Sequence, residues 1–293
     1  MGTVTALWRY PVKSMLGEEL AEASVGPAGI AGDRAYALVD EADGTIASAK
    51  HPRKWGALLG FRAAFVDEPV PGSPPPPVSI ALPDGSTVRS DEPRADTVLS
   101  RALGRTVRLT AVAPDVPTFE EVWPDVEGLA PKQFVEQTMT GHDADGQPTS
   151  SIPLGMLAPP GTFFDLAVLH LITTSTLDQL AALAPGADFD VRRYRPNVLV
   201  GDEPAGFVEN GWAGRTLVVG NGVRVAVAIP TMRCIMTTLA QADLAADRRT
   251  LRAIAGHNRL DIPGLGRWAC AGVYAGVAMP GIVRTGDRVG LDG

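Results

Sequence analysis

Cys234 is one of two cysteines in the chain, and its setting is one where a thiol can do chemistry. It follows an apolar, β-branched run from Val223 to Ile229 that Pro230 closes, so Thr231-Met232-Arg233-Cys234 is expected to hang from a strand's exit. Arg233 beside it is expected to favour the thiolate, a soft ligand suited to a redox-active metal. The alternative is an inert thiol packed in the core, among the commonest fates of a free cysteine. Cys270, in Trp268-Ala269-Cys270-Ala271-Gly272 ahead of another apolar run, reads as a small core residue.

Further cues are anion-binding in type. In Arg195-Pro196-Asn197 the proline is expected to hold Arg195 extended and to open a strand, so that Arg195 and Asn197 point the same way. An arginine fork there matches phosphate geometry, or is simply solvated at a strand mouth. Lys13-Ser14, after Pro11, falls in a turn where an ammonium, a hydroxyl and a backbone N–H can meet an anion. Arg34 follows the Gly29/Gly32 turn, and Thr176 stands near a helix N-terminus, where it either donates to an anion or caps the helix. Arg192 and Arg193 read as surface charges, and His170, on an apolar run, as a satisfied core residue.

The elements that must position these groups are mostly strands. Thr3 to Arg9 is apolar and β-branched, and Ala35–Val39 and Thr45–Ala49 flank the hairpin signal Asp43-Gly44. A stiff proline-rich loop spans Glu68 to Val78, and a helix from Ala95 to Leu103 is closed by Gly104. Periodicity weakens from Ala113 to Gly161, with His142 to Ser151 the stretch expected to be most mobile. Beyond it come a strand over Leu166–Ile172, a helix after Thr174-Ser175-Thr176, and a strand over Asn197–Val200. A hairpin follows at Asn221-Gly222, then a helix over Leu244–Ala255 and two final strands. Strands outnumber helices and no βαβ alternation is evident, which predicts a β-rich α+β chain with barrel character.

Composition bounds the rest. With 293 residues, 45% apolar and 20% charged, a substantial core is expected. A net charge of -7 without a basic run argues against nucleic-acid binding. Two cysteines make no disulfide framework and no CxxC site, and no apolar run reaches the ~18 residues of a spanning helix, so a cytoplasmic protein without a membrane anchor is expected. P-loop, HExxH and GxSxG patterns are absent, and the four histidines show no metal spacing.

Taken together, the motifs resemble a known family. Tyr10-Pro11-Val12-Lys13-Ser14 followed by Gly32-Asp33-Arg34 resembles the start of the MOSC N-terminal β-barrel domain. Arg195-Pro196-Asn197, Arg233-Cys234-Ile235 with Thr237-Thr238, and Gly286-Asp287 resemble the MOSC domain itself. The family includes mitochondrial amidoxime-reducing components, bacterial relatives that reduce N-hydroxylated bases, and the C-terminal domain of molybdenum cofactor sulfurases. The resemblance implies an N-terminal barrel-like domain (1–112), an irregular linker (113–164) and a MOSC barrel domain (165–293) with a few peripheral helices. It implies a molybdenum cofactor whose metal is held by Cys234, the residue central to catalysis. Lys13, Ser14 and Arg34 would hold the pterin phosphate or ring from one side, and Thr176, Arg195, Asn197 and Arg233 from the other. Lys50, in Ser48-Ala49-Lys50, matches a basic position of the family that is often Arg. The implied activity is reduction of an N-hydroxylated or related N–O small molecule; sulfur transfer or cofactor carriage on Cys234 is the other reading. An iron–sulfur cluster takes four cysteines, so electrons would come from a separate donor protein of ferredoxin or flavoprotein type. Met232, where reductases often carry a small polar residue, and Leu239-Ala240-Gln241 after the threonine pair, where a proline is common, depart from the family pattern.

Overall fold

The structure, a computed structural model, describes residues 2–201 and 204–292. Its centre is a closed barrel of seven strands: β1 (Gly2–Arg9), β2 (Leu169–Thr173), β3 (Val198–Gly201), β4 (Thr216–Val219), β5 (Val223–Met232), β6 (Gly266–Met279) and β7 (Arg288–Leu291). The order around the barrel is β2-β3-β1-β7-β4-β5-β6, and β6 pairs back to β2. The expected β-rich α+β architecture with a barrel is the one observed. β1 comes from the first residues of the chain, yet it lies between β3 and β7 in a barrel otherwise built from residues 169–291.

The barrel follows from alternation. Along β5, Val223, Val225 and Val227 turn inward, with Arg224, Ala226 and Ala228 between them. They meet Val4, Leu7, Val200, Leu217 and Val273 in one aliphatic core. Three register shifts interrupt β5 against β6, one between Arg224 and Val225 and two near its end, between Val227 and Ile229 and between Pro230 and Met232. Such bulges bend a strand and re-aim the residues beyond them. Here they carry the strand two residues past Pro230 and turn Arg233-Cys234 toward the first hundred residues.

One βαβ unit, absent from the sequence expectation, is present: β2 and β3 run parallel, joined across the helix Thr174–Leu183. Parallel strands need such a crossover. Its cap is Thr173, whose hydroxyl accepts the Thr176 N–H at 3.1 Å, one residue earlier than the expected cap oxygens.

A second core, with Trp55, Leu58, Phe61, Ile80 and Leu99, lies under small sheets and the helix Ala95–Leu103, which ends as predicted at a left-handed Gly104 (φ 66°). The stretch expected to be irregular, 113–164, instead carries a three-stranded sheet (Thr118–Val122, Met139–His142, Pro148–Pro153) and the helix Lys132–Thr138. Its alternation was masked because Glu121 occupies an inward position, buried against Lys50. The helix expected over Leu244–Ala255 runs Arg249–His257, because the Asp247 carboxylate accepts the Arg249 N–H at 3.0 Å and sets the start there. Among the described residues, no helix is long and apolar enough to cross a membrane.

Candidate functional site

Eight of the nine residues singled out in the sequence line one cleft between the barrel rim and the first hundred residues. The turn after β1 supplies Lys13 and Ser14. Ser14 adopts a left-handed backbone (φ 64°), and its hydroxyl accepts the Ala49 N–H at 3.0 Å, which fixes the segment bearing Lys50. Arg34 (φ 49°) and Arg195 (φ 53°) are left-handed as well. Three of the four non-glycine residues with positive φ among the described residues thus line this cleft. Such backbones cost energy and persist where their surroundings dictate them, commonly at functional sites.

Arg195 is therefore not extended. The short 3-10 turn Val191–Tyr194 ends on it, and Pro196 disfavours the right-handed helical region without excluding the left-handed one. The guanidinium groups of Arg195 and Arg34 lie 4.2 and 4.5 Å from the centroid of the Tyr10 ring, so one aromatic ring positions two cations from opposite halves of the chain. The Tyr10 hydroxyl donates to the Pro196 carbonyl at 3.1 Å. Asn197 ties the same halves together: its amide donates to Asp33 Oδ2 at 2.8 Å and its Oδ1 accepts the His170 N–H at 3.0 Å.

Residues 1–59 match the MOSC N-terminal beta barrel domain and residues 160–290 match the MOSC domain. The chain belongs to the MOSC family. MOSC domains are linked to molybdenum-cofactor-binding and sulfurase-type proteins. Among solved structures the chain matches the crystal structure of the YUAD protein from Bacillus subtilis, at 10% identity and a TM-score of 0.44, covering 98% of this chain and 93% of that one. Among curated proteins none matches.

In this MOSC chain the cleft spans about 720 Å³ counted to its open mouth, but its side chains close on one another and leave about 70 Å³ free to water. Asp165 draws them in. Lys13 pairs with one oxygen of Asp165 and donates to the Phe163 carbonyl at 3.0 Å, while Lys50 lies 3.5 Å from the other oxygen and 3.1 Å from Glu121. Burial brings the Lys13 pKa down to about 8, against the pull of Asp165. For Lys50 burial acts the same way, yet Asp165 and Glu121 outweigh it and hold its pKa well above the ordinary value. The two lysines in turn overcome burial and hold the Asp165 carboxyl far below the carboxylate range.

Cys234 is half-buried at the end of β5, its carbonyl accepting the Thr237 hydroxyl at 3.1 Å. Burial raises the thiol pKa, and although Lys50 and Arg233 favour the thiolate, as expected of Arg233, they only partly offset it, so the expectation of an ionised sulfur is corrected. Arg233 is instead occupied with the Tyr194 carbonyl at 3.1 Å and His170 Nε2 at 3.4 Å. Burial, and then Arg233, hold His170 neutral by keeping its pKa well below the ordinary value. A metal would ionise the thiol on binding.

Two further placements differ from expectation. Thr176 is not brought to the cleft; fully buried, it donates to Glu209 Oε2 at 2.7 Å behind β2. Arg193 is not a surface charge but 1% exposed, donating to the Leu239 and Ala245 carbonyls at 3.1 and 2.7 Å. Sequence reasoning missed Tyr10, Glu121, Asp165 and Tyr274. Tyr10 was visible in the Tyr-Pro-Val-Lys-Ser run, whereas Glu121 and Asp165 sit beside or within the stretch whose pattern is weakest.

The donor set fits an anionic cofactor that brings its own metal ligands. Arg195 Nη1 is buried without a hydrogen-bond partner, and so is Arg233 Nε. Such orphaned donors are costly unless a ligand completes them. Among the described residues no group of three or more His, Cys, Asp or Glu side chains is arranged to hold a metal.

Proposed function

We propose that this cleft binds a molybdenum–pterin cofactor, with the Cys234 sulfur on the metal, and that the chain is an oxidoreductase acting on N-hydroxylated or related N–O compounds. The observation that carries it is the convergence of Lys13, Arg34 and Arg195 from two distant parts of the chain, with an orphaned Arg195 donor, beside a half-buried thiol. Arg34 and Arg195 would grip the phosphate as planar forks. Lys13 and Ser14 would meet the same anion. Lys13 would leave Asp165 for it, a like-for-like exchange of one anion for another. Lys50 and Arg233 would flank the metal side, and Asn197 would hold Asp33 and β3 in register beneath them.

When bound, the cofactor would supply a two-electron couple; the chain would orient it and set the field around it. Reducing an N–OH group to N–H takes up two electrons and two protons and releases water, with electrons from a separate donor protein. Sulfur transfer on Cys234 is the second reading. Both readings need the thiolate; burial opposes it, and a metal on the sulfur would supply the charge that displaces the proton.

The test is to produce the protein in cells that make the cofactor and to measure bound molybdenum and pterin. About one of each per chain is expected, and Cys234→Ala should lower molybdenum to background while the protein stays folded. A folded wild-type preparation that takes up neither, or metal content indifferent to Cys234→Ala, overturns the proposal. Sulfur bound to Cys234, without bound molybdenum, would select sulfur transfer.

A further inference from the structure

The cleft has a neighbour of opposite character. Behind Lys50, Asp165 and Tyr274, which line both spaces, lies a mainly apolar chamber with about 120 Å³ free to water. Its far wall is a tripod of rings: Phe134 packs edge-on against Trp268 (centroids 4.9 Å, 74°) and Trp123 (6.0 Å, 82°), and the two indoles lie 6.0 Å apart. Both indole N–H groups are engaged elsewhere, Trp123 on Ser150 Oγ and Trp268 on the Leu265 carbonyl, each at 2.8 Å. The rings therefore offer hydrocarbon and edges, which suit the face of a further ring. The free volume is of the order of the ~150 Å³ apolar cavity that holds benzene.

The chamber's wall toward the cleft is polar, and its charges cancel. Lys50 and Arg233 are cationic; Asp165 and Glu121 are acidic, with Glu121 bonded to Lys50 at 3.1 Å. A head group of either net sign would meet as much repulsion as attraction there. A neutral, strongly dipolar head able to donate and accept would meet partners for both. Lys50 and Tyr274 line the cleft together with Cys234, so this wall is the side of the chamber that faces the reacting centre.

We infer that the chamber is the specificity pocket for the substrate's body: it takes a single aromatic ring whose neutral N–O head group lies against Lys50, Tyr274 and Glu121. The inference rests on the reading of the cleft as the redox site, but binding in the chamber does not require the cofactor. That separates the two tests.

Calorimetric titration of the cofactor-free protein with benzohydroxamic acid, which joins a ring to an N–O head, should give saturable binding. Acetohydroxamic acid, the head without the ring, and toluene, the ring without the head, should each bind at least tenfold more weakly. Phe134→Ala removes one edge of the tripod and should weaken benzohydroxamic acid binding about tenfold, near the top of the range for an aromatic contact. Met156→Lys, at an exposed position on the chamber's mouth, tests the same pocket without touching the core, and should weaken binding as well. Equal binding of acetohydroxamic and benzohydroxamic acids, or binding unchanged in both variants, overturns the inference. A protein that loads molybdenum but ignores the ring sinks only the chamber. A protein that binds the ring but takes up no cofactor sinks only the redox site.

Discussion

Two carboxylates, one buried and one half-buried, show how this fold separates support from chemistry. Glu209, fully buried behind β2, accepts the Thr173 and Thr176 hydroxyls at 2.7 Å each and the Gly272 N–H at 3.2 Å. Its partners are neutral, and together they tie β2, the crossover helix and β6 to one another. Asp165 instead faces two lysines stripped of water, one with its pKa pulled down and one pushed up, beside guanidinium groups with unfilled donors. A satisfied network rigidifies and has nothing to exchange. An ion cluster held together by one carboxylate can trade that carboxylate for a ligand's anion. Charge alone does not distinguish the two sites; satisfaction does.

Breaking the comparison at its supporting end should have the largest effect on stability. Glu209→Ala leaves two buried hydroxyls and one N–H without their acceptor and should cost about 3 kcal/mol, read by urea unfolding. Arg195→Ala should change stability by about 1 kcal/mol or less, because one of its donors already lacks a partner, while weakening sulfate binding to the cofactor-free cleft about tenfold. Equal losses of stability in the two variants would erase the distinction.

The pH dependence sharpens it. Sulfate keeps its charge across the neutral range, so its binding reports the protein's cations. Lys13, with a pKa near 8, should lose its proton between roughly pH 7 and 9 while Lys50 stays charged, and sulfate affinity should fall across that window. In Asp165→Asn the carboxylate that raises Lys13 is gone, so the fall should move to lower pH. A flat profile over pH 7–9 would show that Lys13 is not in contact with the anion. The smallest effect expected is that of Thr176→Val, which removes one buried hydrogen bond: about 1 kcal/mol of stability, with molybdenum content unchanged. A loss of molybdenum there would return Thr176 to the cofactor site.

Much of this was legible locally. The helix Ala95–Leu103 with its glycine stop, the hairpin at Asn221-Gly222 and the strand leading to Cys234 are written in propensities and alternation, which act over a few residues. The motif residues Lys13, Arg34, Lys50, Arg195 and Arg233 could be named from their neighbours in the chain. The stretch 113–164 was not legible, because a buried Glu121 makes an inward position look outward until Lys50 is known to face it.

The sequence by itself determined which groups were available: one thiol at a strand's exit, several cations in turns that proline and glycine force, and enough alternating valine to close a barrel. Tertiary structure alone decided which of them meet. β1 had to cross into the barrel before Lys13 could face Cys234, two bulges had to redirect the end of β5, and Tyr10 had to come between chain segments before Arg34 and Arg195 could share one ring. It also decided their charge, since the pKa of Lys13, Lys50, Asp165 and Cys234 depends on burial and on neighbours distant along the chain, Asp165 standing 152 residues from Lys13. Desolvation and Coulomb attraction act through space, and no local pattern encodes a distance that only folding creates.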